Sequence, residues 1–330
     1  MKTLVLGSYG NNNVGEDAVL TALLNRIGRK DVTVTSTKPL LTKAIHHDID
    51  SIQYGMVEMD NYDKLIVGGC GIFYGDCSLC VGSMIEAYNM GIPVEVLNAE
   101  VGPIEDKAFY DVAYAFSIAH PINVRTNFSR TILQKVMGIK EEIIVEKDIS
   151  CTLEVPSCED LVEFYYGKGP YLGLSLKNFK IYYPNLIAEV KKCIKDGYTV
   201  VPILNAWSDF PARLDLLGIN RFEKLMKKSF NRWSAPLMPP RITMGIVKEM
   251  DKVISHTVHT TIWANHYGIE ATALVPENNF HPMAYRQLGA KNIIYTTPPG
   301  YIEKEPLFLS FKGLDWSNME EEEIETISLG

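Results

Sequence analysis

The sequence predicts an α/β protein built as two Rossmann-like domains facing a cleft. Three observations carry this reading. Strand and helix patterns alternate along the chain, glycines stop the helices, and the alternation starts a second cycle after residue 160. At 330 residues the chain is longer than one core usually grows, so domains of 1–160 and 161–330 are expected, joined near residues 155–168.

The elements follow in order. "TLVLG" is a buried strand, and "GEDAVLTALLNRIGRK" is a helix with apolar residues at three-to-four spacing and a glycine stop. "VTVTST" and "DKLIVGGCGIF" are strands, and "SMIEAYNMG" followed by "PVEVLNAEVG" repeats helix, glycine, strand. "INVRT" and "EIIVEKD" complete the first half. In the second half "PYLGLSLK", "YTVVPIL", "KVISH" and "EATALVP" are strands, and "LIAEVKKCIKDG", "TMGIVKEMD" and "TTIWANHYG" are helices. Residues 234–241, "SAPLMPPR", are proline-rich and expected to be irregular, and the tail "MEEEEIE" reads as solvated helical surface. This βαβ order specifies parallel sheets covered by helices on both faces.

Bulk composition narrows the function classes. With 46% hydrophobic and 22% charged residues the chain reads as an ordinary globular protein. A net charge of −8 argues against nucleic acid, which calls for a basic face, yet leaves room for a small anionic ligand at a local positive site. The start "MKTLVLGSYG" suits a first strand better than a signal peptide, and no stretch approaches the roughly 18 apolar residues of a membrane span. A cytoplasmic protein with at most peripheral membrane contact is expected. Cys70, Cys77, Cys80, Cys151, Cys158 and Cys193 read as reduced thiols, because the C-x-x-C of Cys77 and Cys80 lacks a fourth metal ligand at matching spacing.

"GSYGNNNVGEDAVL" links the first strand to the first helix. Gly7, Gly10 and Gly15 permit backbone angles that other residues resist, and Asn11 to Asn13 tolerate left-handed conformations. The spacing is neither a dinucleotide fingerprint nor a P-loop. Glu16 and Asp17 fall in the first helical turn, where they suit the dipole but repel a phosphate, so an acceptor sugar is the expected neighbour. The acceptor-side candidates are therefore Gly10, Asn11, Asn13, Glu16 and Asp17, with Tyr74 as a ring that could stack on a sugar and Asp209 as a hydroxyl-orienting acid. Tyr9 and Trp207 are further aromatic candidates near the same cleft.

These segments together resemble the polysaccharide pyruvyl transferase family. The opening loop is similar to that family's glycine loop and G-[DE]-[DE]-A-x-[LI] helix start, "DKLIVGGCGIFYGD" to its glycine-run strand end, and "GIPVEVLNAEVGPI" to its next strand. "INVRTNFS", "EKDISCTLE", "YLGLSLKN" and "VISHTVHTTIWANHYGIEATALV" continue the likeness in unbroken order from about residue 4 to 295. The resemblance implies a GT-B-like fold, transfer of pyruvate from phosphoenolpyruvate onto saccharide hydroxyls as a ketal, and no metal or other cofactor. It also places His259 at the family's histidine, as the catalytic residue expected to act as general acid and protonate the methylene carbon of phosphoenolpyruvate.

The residues support His259 independently. "ISHTVHTTIWANHYG" holds three of the seven histidines, and His259 lies where the strand 252–256 meets the helix 259–267. That is the carboxyl edge of a parallel sheet, beside a helix N-terminus that welcomes an anion, with hydroxyls of Thr257, Thr260 and Thr261 close by. His256 reads as a strand end and His266 as a cation suited to the helix C-terminus. A zinc site from the three histidines has poor geometry. Arg125 and Lys177, each following a strand, are the expected cleft-edge cations for the donor, or else surface ion pairs.

The chain also departs from the family pattern. Thr257 stands where the family has an arginine, Thr126 follows Arg125 in place of an aspartate, and Cys70 replaces a glycine. The loop "PENNFHPMAYRQLG" offers His281 and Arg286 in place of a lysine. The expected activity is therefore pyruvyl transfer in cell-surface polysaccharide or glycan biosynthesis, with the N-terminal domain on the acceptor side and the C-terminal domain on the donor side. Two alternatives stand beside it, a GT-B glycosyltransferase using a nucleotide sugar and a non-catalytic glycan- or anion-binding relative. The partners expected are a small-molecule donor and a saccharide acceptor, lipid-linked acceptors included, and a homo-oligomer is compatible with the sequence.

Overall fold

The computed structural model describes residues 1–75, 77–104, 108–176, 184–205, 211–230, 239–275 and 285–296, without the side chains of 70, 71, 74, 75, 103 and 211–217. Two compact units divide between Thr152 and Leu153, ahead of the boundary expected at 160/161, and the loop residues Asn12–Gly15 group with the second unit.

The first unit is a seven-stranded, wholly parallel sheet ordered β3-β2-β1-β4-β5-β6-β7. Its strands are β1 (Thr3–Leu6), β2 (Val32–Ser36), β3 (Asp50–Gln53), β4 (Lys64–Gly75), β5 (Val94–Ile104), β6 (Ile122–Val124) and β7 (Ile143–Val145). The helices are α1 (Val14–Ile27), α2 (Pro39–Ile45), α3 (Ser78–Asn89), α4 (Phe109–Ser117) and α5 (Asn127–Thr131). Leu4, Val5 and Leu6 of β1 are buried, as are Val19, Leu20, Leu23 and Leu24 of α1, which is why an all-apolar β1 reads as a central strand. Gly28, at φ 85, ends α1 at the glycine the sequence marked. Chain order reverses between β1 and β4, and Gly7 and Gly68 meet there: a Cβ on Gly7 would lie 2.5 Å from the Gly68 carbonyl oxygen.

β5 is bulged. Its pairing with β6 shifts between Val96 and Ala99, where Asn98 takes φ 53. The buried Asn98 amide donates to the Lys147 carbonyl at 2.9 Å and accepts from Ile149 N at 2.9 Å, so it clamps the chain leaving β7.

The second unit is a five-stranded parallel sheet ordered β12-β11-β10-β8-β9. Its strands are β8 (Tyr171–Ser175), β9 (Thr199–Pro202), β10 (Lys252–Ser255), β11 (Glu270–Val275) and β12 (Asn292–Tyr295). The helices are α6 (Glu159–Tyr166), α7 (Pro184–Lys195), α8 (Pro211–Met226), α9 (Pro240–Lys248) and α10 (Val258–His266). The expected linker thus contains a helix, α6, and α9 begins at Pro240, inside the stretch expected to be irregular. Proline suits a first helical turn because it has no N–H to leave unpaired. Leu172, Leu174, Leu186, Val190, Ile219 and Phe222 form the core. α10 is buried on all sides from His259 to Ala264, which marks an interior helix. It ends in a Schellman motif: Ile269 N donates to the Ala264 carbonyl, Gly268 N donates to the Asn265 carbonyl, and Gly268 sits at φ 76. The acidic tail lies outside the described residues.

Candidate functional site

The two sheets share a property that locates their functional edges. In open parallel sheets, ligands bind beyond the carboxyl ends of the strands where chain order reverses. In the second unit that point lies between β8 and β10, and in the first between β1 and β4.

At the β8/β10 point the register sets Ser175 beside Ser255, and Asn205 follows β9. These three side chains and two threonines of the α10 start form a buried network. Thr257 Oγ1 donates to Thr260 Oγ1 at 2.7 Å, and Thr260 Oγ1 donates to Asn205 Oδ1 at 3.1 Å. The Asn205 amide donates to Ser175 Oγ at 2.7 Å and to Thr257 Oγ1 at 3.1 Å. Ser255 Oγ donates to the Thr257 carbonyl at 3.0 Å and accepts from Thr257 N at 2.9 Å. Thr261 Oγ1 donates back to the Thr257 carbonyl at 3.3 Å. The hydroxyls expected to augment an anion site are therefore turned inward. Thr257, Thr260 and Thr261 hold the strand ends and the helix start together, and Thr257, the N-cap residue of α10, makes no side-chain capping bond.

His259 occupies the first turn of α10 and is 8% exposed. Its ring centroid lies 5.9 Å from that of Trp263. The other flank is the loop that groups with this unit. A Cβ on Gly15 would lie 2.1 Å from His259 Nδ1, so only glycine lets the backbone come this close. Val14 N donates to the Asn205 carbonyl at 2.7 Å, and Asn13 Oδ1 accepts from Gly15 N at 3.1 Å. Asn205 thus joins the hydroxyl network to the loop beside His259. Asn13, expected on the acceptor side, fixes the turn instead. His256, expected to end its strand, lies one residue beyond β10: its N–H donates to the Ser175 carbonyl, and its carbonyl accepts from Tyr285 Oη.

At the β1/β4 point of the first unit, Gly10 has φ 81, and a Cβ there would lie 1.9 Å from Ser36 Oγ. Asn11 donates to the Ser8 carbonyl at 3.2 Å and accepts from Thr37 Oγ1 at 3.0 Å, so it too serves the loop. Tyr9 is fully buried and donates to the Gly68 carbonyl at 2.7 Å, which makes it a packing residue rather than a stacking one. Asp17 is different. It is 5% exposed, no described residue pairs with its carboxyl, and burial pushes its pKa up to about 7. Glu16, beside it, is half-buried. Tyr54 lies at the same edge, where burial pushes its phenol up to about 12; it bonds to Thr35 and to the Gly7 backbone and feels Glu16 and Cys80.

Arg125 corrects an expectation. It is no cleft-edge cation: its buried guanidinium donates through Nε to Glu100 Oε2 at 2.7 Å and through Nη1 to Asp148 Oδ2 at 3.0 Å. Thr126 donates to Glu100 Oε1 at 2.9 Å and caps α5 by accepting from Ser129 N, so this threonine is part of the same cluster. This group ties the interior of β5 to the chain leaving β6 and β7. Lys177, Asp209, Trp207 and His281 lie outside the described residues, as do the side chains of Tyr74 and Cys70. Among the described residues no three His, Cys, Asp or Glu side chains gather as metal ligands, and no helix is long and apolar enough to cross a membrane. Cys80, Cys151, Cys158 and Cys193 are thiols outside any disulfide.

No family model matches the sequence, and no curated protein does. Solved structures do match in fold. The UDP-GlcNAc 2-epimerase from Methanocaldococcus jannaschii is 13% identical with a TM-score of 0.58, covering 89% of each chain. HepE of Anabaena, solved in complex with UDP, is 13% identical with a TM-score of 0.59, covering 99% of this chain and 100% of its own. A Glycyrrhiza uralensis protein complexed with glycyrrhetinic acid 3-O-monoglucuronide is 11% identical with a TM-score of 0.55, covering 94% and 86%. The fold is therefore α/β and GT-B-like, with two Rossmann-like domains.

Proposed function

We propose that this chain is a GT-B-type enzyme that processes a nucleotide sugar, a UDP-sugar, in glycan assembly. One observation carries the reading: the N-terminus of α10, whose N-cap residue Thr257 makes no side-chain capping bond and whose first turn bears His259, stands at the β8/β10 switch point. First-turn N–H groups and the positive end of the helix dipole suit a diphosphate at that position. The fold likeness to proteins solved with UDP or named for UDP-GlcNAc supports the choice of ligand.

Pyruvyl transfer from phosphoenolpyruvate, which the motif order favours, ranks second. Phosphoenolpyruvate offers little beyond two anionic groups, so its site calls for a cationic clamp. Thr257 replaces the family's arginine and is buried among hydroxyls, and Arg125 is committed to Glu100 and Asp148. A nucleotide sugar spreads its recognition over base, ribose and sugar, and depends less on such a clamp. Calorimetric titration with UDP, UDP-N-acetylglucosamine and phosphoenolpyruvate separates the two readings. UDP is expected to bind and phosphoenolpyruvate is not; the reverse pattern would put pyruvyl transfer first.

A further inference from the structure

The loop and network around His259 leave one ionisable group at a switch point unexplained. Asp17 lies in the first turn of α1, directly after the β1 loop, at the carboxyl edge where β1 meets β4. Thr21 Oγ1 donates to its main-chain carbonyl, but its carboxyl has no hydrogen bond or ion pair among the described residues. A buried, unpartnered carboxyl weakens the fold and gives it nothing in return. Structural acids in the same unit look quite different. Glu100 and Asp148 share Arg125, and Asp148 also accepts from Ser150.

We propose that Asp17 is the acid–base group of a sugar-hydroxyl site at the β1/β4 switch point of the first unit. The proposal deepens the nucleotide-sugar reading, from which it takes its ligand class. The ligand's O–H bond breaks, the proton moves to a carboxyl oxygen of Asp17, and the electron pair stays on the ligand oxygen; the return step reverses this. A hydroxyl suits the position better than an anion, because Glu16 stands next to Asp17 and a phosphate would be repelled by both. Among the described residues, Tyr54, which interacts with Glu16, and the Cys80 thiol are pushed up by burial, so neither carries charge at neutral pH. Burial raises the Asp17 carboxyl to about 7, so it can both take up and return a proton near neutral pH, as acid–base catalysis requires.

The test is a carbon-13 carboxyl titration of aspartate-labelled protein, with Asp17→Asn identifying the resonance. The variant is near-isosteric and removes a buried charge, so it should fold. The Asp17 midpoint is expected near neutrality and should move by about half a pH unit or more under saturating N-acetylglucosamine. A midpoint below about 5, or one unmoved by the sugar, overturns the proposal. In parallel, UDP release from UDP-N-acetylglucosamine is expected to fall about 100-fold or more in Asp17→Asn and to lose its inflection with pH, with UDP affinity unchanged. An unaltered pH profile in the variant overturns it too. UDP affinity of the wild type tests the nucleotide-sugar reading alone, while the titration judges Asp17 even if that reading fails.

Discussion

Asp17 and His46 have opposite effects on stability over the same pH range. Burial pushes Asp17 up to about 7 from 3.8, so between those values the folded chain holds a proton that the unfolded chain has released, and stability falls as pH rises. His46 is 2% exposed, and burial, with Arg29 and His47 adding to it against Asp48, pushes it down from 6.5 to about 4. There the unfolded chain holds the extra proton, so stability rises with pH up to about 6.5. The two effects are on the order of 4 and 3 kcal/mol and largely cancel between pH 4 and 6.5. Each single variant should unmask the other. Asp17→Asn is expected to lose stability steeply on acidification from pH 7 to 4, and His46→Gln to gain it, both read from denaturant midpoints. Parallel curves for the two variants would mean that these groups are not buried as described. Gly15 makes a different prediction. Gly15→Ala should lower stability, since the new methyl overlaps the buried His259 side chain down to its Cβ, and should lose UDP affinity about tenfold or more as that ring is displaced; an unchanged affinity would separate His259 from the diphosphate site. The sequence displayed the acid in the first turn and the glycine before it. It could not display that the acid is buried without a partner among the described residues, because burial is set by the folded unit and not by the local sequence.

At the scale of elements, the hydroxyl network accounts for what the α10 threonines do. Asn205 is its hub, touching Ser175, Thr257 and Thr260. Asn205→Ala leaves three buried hydroxyls short of a partner and is expected to cost about 3 kcal/mol, a fall in thermal midpoint of about 10 °C. Thr257→Arg, which would supply the arginine of the pyruvyl transferase pattern, should also destabilise by about 3 kcal/mol or more and bring no gain in phosphoenolpyruvate binding, because the guanidinium enters a filled and partnered space. A stable variant with tighter phosphoenolpyruvate binding would reopen the pyruvyl reading. Strand and helix identities were legible here: "KVISH" became β10 and "TTIWANHYG" became α10. The network itself was not, since Ser175, Asn205 and Ser255 are single polar residues at three strand ends, 30 or more positions apart except through the sheet. One signal was present. Strands β8, β9 and β10 each run into a small polar residue, which is how buried strand ends satisfy their last groups. Arg125 shows the same limit, as its partners lie 25 and 23 residues away in sequence and only pairing of β5, β6 and β7 brings them together.

For the whole molecule, the order of each sheet identifies a functional edge before any ligand is considered. The first unit reverses at β1/β4, where the glycine loop lies, and the second reverses at β8/β10, where His259 lies. That correspondence is why loops and strand ends, read from sequence, lead to these two edges, while the tasks of side chains such as Arg125 emerge only from the folded sheets. The α10 reading makes a prediction that needs no knowledge of the reaction. Residues 1–152 contain no tryptophan, whereas Trp263 is fully buried in α10 itself, one turn from His259. Tryptophan fluorescence therefore follows the unfolding of the chain beyond residue 152, where the proposed diphosphate site lies. A ligand that binds only the folded state at a hundred times its Kd stabilises by about 2.7 kcal/mol. UDP at that level should raise the fluorescence-detected midpoint by several degrees, and the rise should survive EDTA, because diphosphate binding at a helix N-terminus uses N–H groups rather than a bridging cation. His259→Ala should keep the unliganded midpoint within a few degrees and lose most of the rise. If UDP left the tryptophan transition where it was, or EDTA abolished the shift, the N–H groups of the α10 start would not be what holds the diphosphate.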